Sequence, residues 1–133
     1  MGAASIPGET ILVVDDNPTN TRLMYAILEP EYSVQSAVDA DSMFAALSAS
    51  HPRLILMDIQ LPGIDGLEIT RRLKADPATR DIIIIALSAY AMVGDREKAL
   101  QAGCDEYVSK PIERKKFLKL LEQFLGVKTA APV

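Results

Sequence analysis

The sequence lacks several features that would assign it to a specialised class. It has one cysteine, Cys104, so an internal disulfide is excluded, which agrees with a reducing compartment. No apolar run approaches the length that spans a membrane, and the first residues, Met1–Ser5, have neither the basic start nor the apolar stretch of a secretory signal. These absences predict a cytoplasmic protein that does not insert into membranes.

The chain also lacks a basic excess. Its 18 acidic and 14 basic residues give a net charge of −4, and the basic residues are scattered along the sequence. This distribution argues against a direct nucleic-acid partner. With 133 residues, 49% of them hydrophobic, the chain is long enough to bury one core, so we expect a single domain over residues 10–125 between loose tails at 1–9 and 126–133.

Apolar runs and helical stretches alternate along this predicted domain, as in repeated βα units. The predicted strands are Ile11–Asp15, Tyr32–Ser36, Leu54–Asp58, Ile82–Leu87 and Glu106–Ser109. The predicted helices begin at Asn17-Pro18 and then span about Asp39–Ala49, Asp65–Lys74, Asp95–Ala102 and Glu113–Leu125. In the first helix Leu23, Ile27 and Leu28 are expected to share the buried side, and in the last helix the apolar residues recur at 3.6-residue spacing.

Alternation of this kind predicts an α/β fold with a parallel sheet, because right-handed crossovers place helices on both faces. We expect a flavodoxin-like, doubly wound, five-stranded sheet of order 2-1-3-4-5. The carboxyl ends of its strands would share one edge, where open α/β folds bind ligands.

Three acidic residues are expected at that edge. Asp15 and Asp16 end the first strand, and Asp58 ends Leu54–Asp58, a strand apolar enough to be buried on both faces. Carboxylates this close repel one another and need a cation, and Mg²⁺ fits because it joins one or two carboxylates to a phosphate. The alternative for Asp15 and Asp16 is a solvated turn that caps the following helix.

Two further polar side chains are predicted at the same edge. Ser88 follows the fourth strand, and Lys110, which precedes Pro111, follows the fifth; proline there permits a cis peptide bond. Alone, Ser88 is more typical of a turn and Lys110 of a solvated surface. Together with a metal site they would bind phosphoryl oxygens, and the nucleophile they would serve is Asp58.

These residues lie in segments that resemble the receiver domains of two-component response regulators. The resemblance covers about residues 10–125, and its motifs occur in the family's order: Val13–Asn17, Leu56–Gly63, Leu87–Ala89 and Tyr107–Pro111.

The resemblance implies a role for each matched residue. By this resemblance Asp58 matches the phosphoacceptor of receiver domains, and Lys110 matches their phosphate-binding lysine. Ser88 and Tyr107 match the switch hydroxyl and the switch aromatic residue, with serine at 88 in place of the family's more frequent threonine. The implied ligands of Mg²⁺ are the carboxylates of Asp15, Asp16 and Asp58 and the backbone carbonyl of Gln60.

A receiver of this kind implies a phosphorelay module. Asp58 would take a phosphoryl group from a phosphohistidine of a sensor histidine kinase or a histidine phosphotransfer protein, or from a small acyl phosphate, assisting its own phosphorylation and dephosphorylation rather than acting as a conventional enzyme. Ser88 and Tyr107 would then change the surface formed by the fourth helix, fifth strand and fifth helix, which a downstream protein would bind.

Two other functions remain open from the residues. Asp15–Thr19 is similar to the first motif of haloacid-dehalogenase-like phosphatases, with Asp15 as nucleophile, but Asn17 then occupies the general-acid position and cannot donate a carboxylic proton. A constitutive scaffold with this fold is the third possibility, although the acidic, hydroxyl and lysine positions are all intact.

Overall fold

The computed structural model describes residues 10–29, 31–59, 65–89 and 93–125. Five strands alternate with five helices. The strands are β1 (Thr10–Val14), β2 (Ser33–Ala37), β3 (Leu54–Asp58), β4 (Ile83–Ser88) and β5 (Glu106–Ser109). The helices are α1 (Pro18–Leu28), α2 (Ala40–Ala49), α3 (Gly66–Ala75), α4 (Asp95–Ala102) and α5 (Arg114–Leu125). The predicted tails at 1–9 and 126–133 lie outside the described residues.

The strands form one parallel sheet of order β2-β1-β3-β4-β5, so the flavodoxin-like prediction is confirmed. Side chains alternate across it. Leu12 and Val14 of β1 belong to the apolar cluster on the face covered by α2, α3 and α4, whereas Ile11 and Val13 belong to the cluster covered by α1 and α5. Because both faces are buried, the central strands β1, β3 and β4 are apolar at almost every position.

The sequence prediction places one side chain wrongly and displaces three strands, β1, β2 and β4, by one residue each. Leu23 does not join the buried side of α1: it is 50% exposed, and Met24 packs against the sheet beside Ile27 and Leu28. Spacings of three and four residues fit either leucine or methionine, and the direction in which the helix leaves the sheet decides between them. Ser88 is the last residue of β4 rather than the residue after it, and Asp15 follows β1 rather than belonging to it.

The fourth helix is weakly anchored at its N-terminal end. It buries two side chains, Ala99 and Ala102, and it begins after Gly94, whose φ of +89° is left-handed and which supplies no side-chain cap. Its C-terminal end is capped: Gly103 has a φ of +113°, and the N–H groups of Gly103 and Cys104 donate to carbonyls of the last turn.

Cys104 is a buried core residue. Burial raises the pKa of its thiol, so the thiol stays protonated at neutral pH. Each helix in the described ranges is too short or too polar to cross a lipid bilayer.

Replacing Gly103 by alanine should destabilise the fold. A Cβ atom there would lie 2.9 Å from Lys74 Cγ, in addition to the strain of a positive φ. We expect the free energy of unfolding, measured by equilibrium urea denaturation, to fall by about 2 to 3 kcal/mol. Gly94→Ala is the matched control, because a Cβ at that position meets nothing within 4 Å and should cost about 1 kcal/mol of strain. Equal losses in the two variants would contradict this account of the α4 terminus.

Candidate functional site

Three carboxylates lie together at the carboxyl edge of the sheet. Neighbouring strands place them, since β1 pairs with β3 at Val14 and Met57, each followed by an aspartate. Asp15 and Asp58 are 3% and 5% exposed, whereas Asp16 faces solvent. One carboxylate oxygen from each of the three residues lies within 4.8 Å of the others. The structure therefore concentrates negative charge where two of the three groups are withdrawn from water.

Lys110 supplies a cation to the two buried acids. Its Nζ atom lies 3.3 Å from Asp15 Oδ2 and 3.6 Å from Asp58 Oδ2. The backbone holds it there, because the Lys110 N–H donates to the Ser88 carbonyl at 2.8 Å. The Lys110–Pro111 peptide bond is cis. One ammonium group thus bridges the ends of β1 and β3.

The Asp15 carboxylate is fixed through both of its oxygens. Oδ1 accepts the Asn17 N–H at 2.9 Å, while Oδ2 contacts Lys110. The Asn17 side chain is engaged elsewhere, since its Oδ1 accepts the Thr19 N–H at 2.8 Å and caps α1. Sequence reasoning missed the Asn17 backbone contact. The signal was an aspartate two residues before a helix cap, which is the pattern of an Asx turn.

Gly66 sets the position of α3 against the end of β3. A Cβ atom on Gly66 would lie 2.7 Å from the Cα of Ile59 and 3.0 Å from the carbonyl oxygen of Asp58. Glycine is required here because backbone meets backbone with no side chain that can move aside. The first turn of α3 thereby supports the residue that carries the central carboxylate, a contact that the sequence pattern did not reveal.

The predicted switch residues lie on the next two strands. Leu87 pairs with Asp58, so Ser88 sits one residue further toward the carboxyl edge, and it is 1% exposed. Tyr107 pairs with Ala86 across β4 and β5 and is half-buried. Gln60, predicted to offer its carbonyl to a metal, lies outside the described residues.

A cavity of about 360 Å³ opens beside the acidic cluster. Asp15 and Lys110 form its inner wall, and much of the rest is apolar, including Leu23, Met24 and Ile112. The exposure of Leu23, which contradicted the sequence prediction, therefore occurs at the rim of this cavity. Asp16 and Asp58 are not among the residues that line this cavity.

The donor set suits a hard divalent cation. The three acidic residues offer oxygen ligands and Asp16 keeps one side of the cluster open to water, as Mg²⁺ requires because it retains part of its hydration shell. Cysteine and histidine, which zinc favours, are not members of this cluster.

Comparison with known proteins finds the same fold and a related sequence. The model of the response regulator receiver domain family matches residues 11–122. The polar-differentiation response regulator DivK of Brucella ovis is 40% identical over 121 residues, which cover 89% of this chain and 97% of that protein. The homologous regulator of Brucella anthropi is 39% identical over the same shares of both chains.

Two solved structures with a similar fold contain groups in their own sites. The receiver domain of a sensor histidine kinase from Pseudomonas aeruginosa, described with a magnesium ion in its active-site cleft, has a TM-score of 0.81 and 37% identity, covering 91% of this chain and 100% of that one. A response regulator from Burkholderia pseudomallei, described with a phosphorylated aspartic acid, has a TM-score of 0.74 and 27% identity, covering 83% of this chain and 64% of that one.

Neutralising one exposed acid of the cluster should stabilise the protein when divalent cations are absent. In buffer containing EDTA, Asp16→Asn relieves carboxylate repulsion, and we expect the free energy of unfolding to rise by about 1 kcal/mol. Added MgCl₂ should stabilise the unaltered protein and have a much smaller effect on the variant, since a ligand that binds the folded state raises its stability. Urea denaturation with and without Mg²⁺ measures both effects.

Glu122→Gln is the charge-matched control, because Glu122 is exposed on α5 and is not part of the acidic cluster. It should keep the full response to Mg²⁺. A stabilisation by Mg²⁺ that is the same in Asp16→Asn as in the unaltered protein would remove Asp16 from the metal site.

Proposed function

The chain belongs to the response regulator receiver domain family, and on that premise we propose that it is a phosphorylation-controlled module of a two-component phosphorelay. In this proposal Asp58 accepts the phosphoryl group, and the donor is a phosphohistidine of a sensor histidine kinase or of a histidine phosphotransfer protein. The observation that carries the proposal is the position of Asp58 at the end of a buried strand, 3.6 Å from Lys110 Nζ and next to Asp15 and Asp16.

In this reaction the protein positions the reacting groups and neutralises the charge of the phosphoryl group. A carboxylate oxygen of Asp58 forms a bond to phosphorus while the phosphorus–nitrogen bond of the donor breaks, and the electron pair leaves with the imidazole. Lys110 is placed to neutralise charge on the transferred oxygens because its ammonium already contacts Asp58. Mg²⁺, held by Asp15, Asp16 and Asp58 with the carbonyl of Gln60 as a further proposed ligand, would supply the remaining positive charge.

The cavity beside the cluster provides a route for the donor. Its apolar rim at Leu23 and its inner wall at Asp15 and Lys110 would let a protein-bound phosphohistidine pack against α1 while its phosphoryl group points to the carboxylates. A buried nucleophile with an apolar approach favours a donor carried on a protein surface, although a small acyl phosphate is able to enter the same space.

The conformational response to phosphorylation is proposed to involve first Ser88 and then Tyr107. A phosphoryl group on Asp58 would present oxygens to the Ser88 hydroxyl, which is next to it on the neighbouring strand, and Tyr107 would turn inward as this edge rearranges. Both changes alter the face formed by α4, β5 and α5, to which we assign the downstream partner. That face carries a groove of about 450 Å³ lined by Tyr107, Phe117 and Leu120, among others.

The structure offers little support for the phosphatase alternative. Asp15 would be the nucleophile, but hydrogen bonding and ion pairing already engage both of its oxygens. Asn17, at the position of the general acid, uses its side-chain oxygen to cap α1. Neither residue is arranged for turnover of a phosphomonoester.

Incubation with acetyl phosphate and Mg²⁺ tests which aspartate accepts the phosphoryl group. Intact-mass spectrometry should show one added phosphate on the unaltered chain and none on Asp58→Asn, because the nucleophile is lost. Asp15→Asn should still acquire one phosphate, more slowly, since a metal ligand and a partner of Lys110 are removed. Glu122→Gln, an exposed acid with the same change of charge, should behave as the unaltered chain.

Three results would contradict the proposal. They are an added phosphate on Asp58→Asn, steady hydrolysis of a phosphomonoester that depends on Asp15, and a complete absence of phosphorylation with Mg²⁺ and a folded protein. The last result would favour the scaffold.

A further inference from the structure

A single carboxylate oxygen links α4 to the backbone of the proposed switch residue. Glu106 Oε1 accepts the N–H of Tyr107 at 3.0 Å, and the same oxygen pairs with Nη1 of Arg96 in the first turn of α4. The side chain of Glu106 is 21% exposed and that of Arg96 is 54% exposed. Since β5 is an edge strand, this contact also covers part of the open edge of the sheet.

The two ends of α4 are fastened differently. Beyond its C-terminal end, Asp105 Oδ2 accepts the Ile84 N–H at 2.8 Å and Lys74 Nζ at 3.0 Å, which ties the segment to β4 and α3. At the N-terminal end the cap is a left-handed glycine without a side-chain bond, and the buried side chains of the helix are two alanines near its other end. The Arg96–Glu106 pair therefore holds the end of α4 that has the weaker packing.

The N-terminal end of α4 is the end that follows Ser88, and hence the candidate phosphorylation site, in the chain. Segment 89–94 joins Ser88, the last residue of β4, to Asp95, the first residue of α4. A displacement of Ser88 toward a phosphoryl group would also shift the first turn of α4, where Arg96 lies, because this turn is the next helical element after Ser88 in the chain. To move, that turn must break or stretch the contact with Glu106.

We propose that Glu106, paired with Arg96, is a positioning residue that holds Tyr107 and the first turn of α4 in the conformation seen here, with Tyr107 half-buried. The inference rests on the proposed function and specifies how its response is restrained. Phosphorylation would work against this contact, so the contact sets how much of the unphosphorylated protein already occupies the active conformation. Removing it shifts that equilibrium without adding any contact to Asp58. Because the pair is partly exposed, the expected rise in the active population is modest, about two- to five-fold.

The test measures the backbone amide resonances of Ser88 and Tyr107 in the full chain by NMR. Beryllofluoride with Mg²⁺, a mimic of the phosphoryl group, defines the fully active position of each resonance. In samples without beryllofluoride, Arg96→Gln and Glu106→Gln should move both resonances toward that position. Glu106→Ala should move them further, since it loses the acceptor for the Tyr107 N–H as well as the charge. Arg96→Lys, which keeps the positive charge, should restore most of the original position.

Arg71→Gln is the matched control. It breaks an ion pair within α3, between Arg71 Nη1 and Glu68 Oε1 at 3.1 Å, and Arg71 is 55% exposed against 54% for Arg96. If Glu106→Ala fails to fold, Arg96→Gln and Glu106→Gln are compared with the control instead, because each retains the size of the side chain or its hydrogen-bonding capacity.

The outcomes separate the inference from the function on which it rests. If beryllofluoride shifts the resonances of the unaltered chain while the Arg96 and Glu106 variants stay with Arg71→Gln, the positioning role is wrong and the proposed function stands. If beryllofluoride leaves Ser88 and Tyr107 unmoved in the unaltered chain, the proposed function fails and the positioning role fails with it. Graded shifts in the order given, reversed by Arg96→Lys, support the inference.

Discussion

The contact of one ammonium group with two buried carboxylates is the constraint on which the site depends. Parallel pairing of β1 and β3 places Asp15 and Asp58 side by side at the carboxyl edge, where burial would strengthen their repulsion. Lys110, the residue after β5, bridges them, and the Asn17 N–H donates a hydrogen bond to the other oxygen of Asp15. The order of the strands, the close approach of α3 at Gly66 and the anchoring of Lys110 to Ser88 all serve to hold these charges at fixed separations.

These buried charges contribute little to the stability of the fold and are suited to binding a charged group. A buried ion pair returns little net stability, because desolvation of the charges offsets their attraction. Here the third carboxylate, Asp16, leaves the cluster with more negative than positive charge, which is the reason that we propose a divalent cation for it. The stability of the fold comes from the sheet instead, because its central strands are apolar and buried on both faces.

The sequence predicts the number, type and order of the elements, and it predicts some of their bounds. Leu54–Asp58 and Glu106–Ser109 were predicted with the bounds that the structure has, and Asp95–Ala102 ends at Gly103 as expected. The convergence of Asp15, Asp58 and Lys110 followed from topology alone. Leu23 was misplaced because helical periodicity leaves the orientation of the helix open by one residue. The Gly66 contact and the Arg96–Glu106 pair were not predicted, since each joins segments whose distance depends on tertiary packing rather than on any sequence pattern.

We propose that the acidic cluster, Lys110 and Ser88 form one binding site for a phosphoryl group on Asp58. A crystal structure of the chain with Mg²⁺ and beryllofluoride tests it most directly. We expect beryllium bound to a carboxylate oxygen of Asp58, a metal ion held by Asp15, Asp16 and Asp58, and fluorides within hydrogen-bond distance of Lys110 Nζ and the Ser88 hydroxyl. Beryllofluoride on Asp15, or an Asp58 that remains paired with Lys110 and unmodified while the metal binds elsewhere, would contradict it.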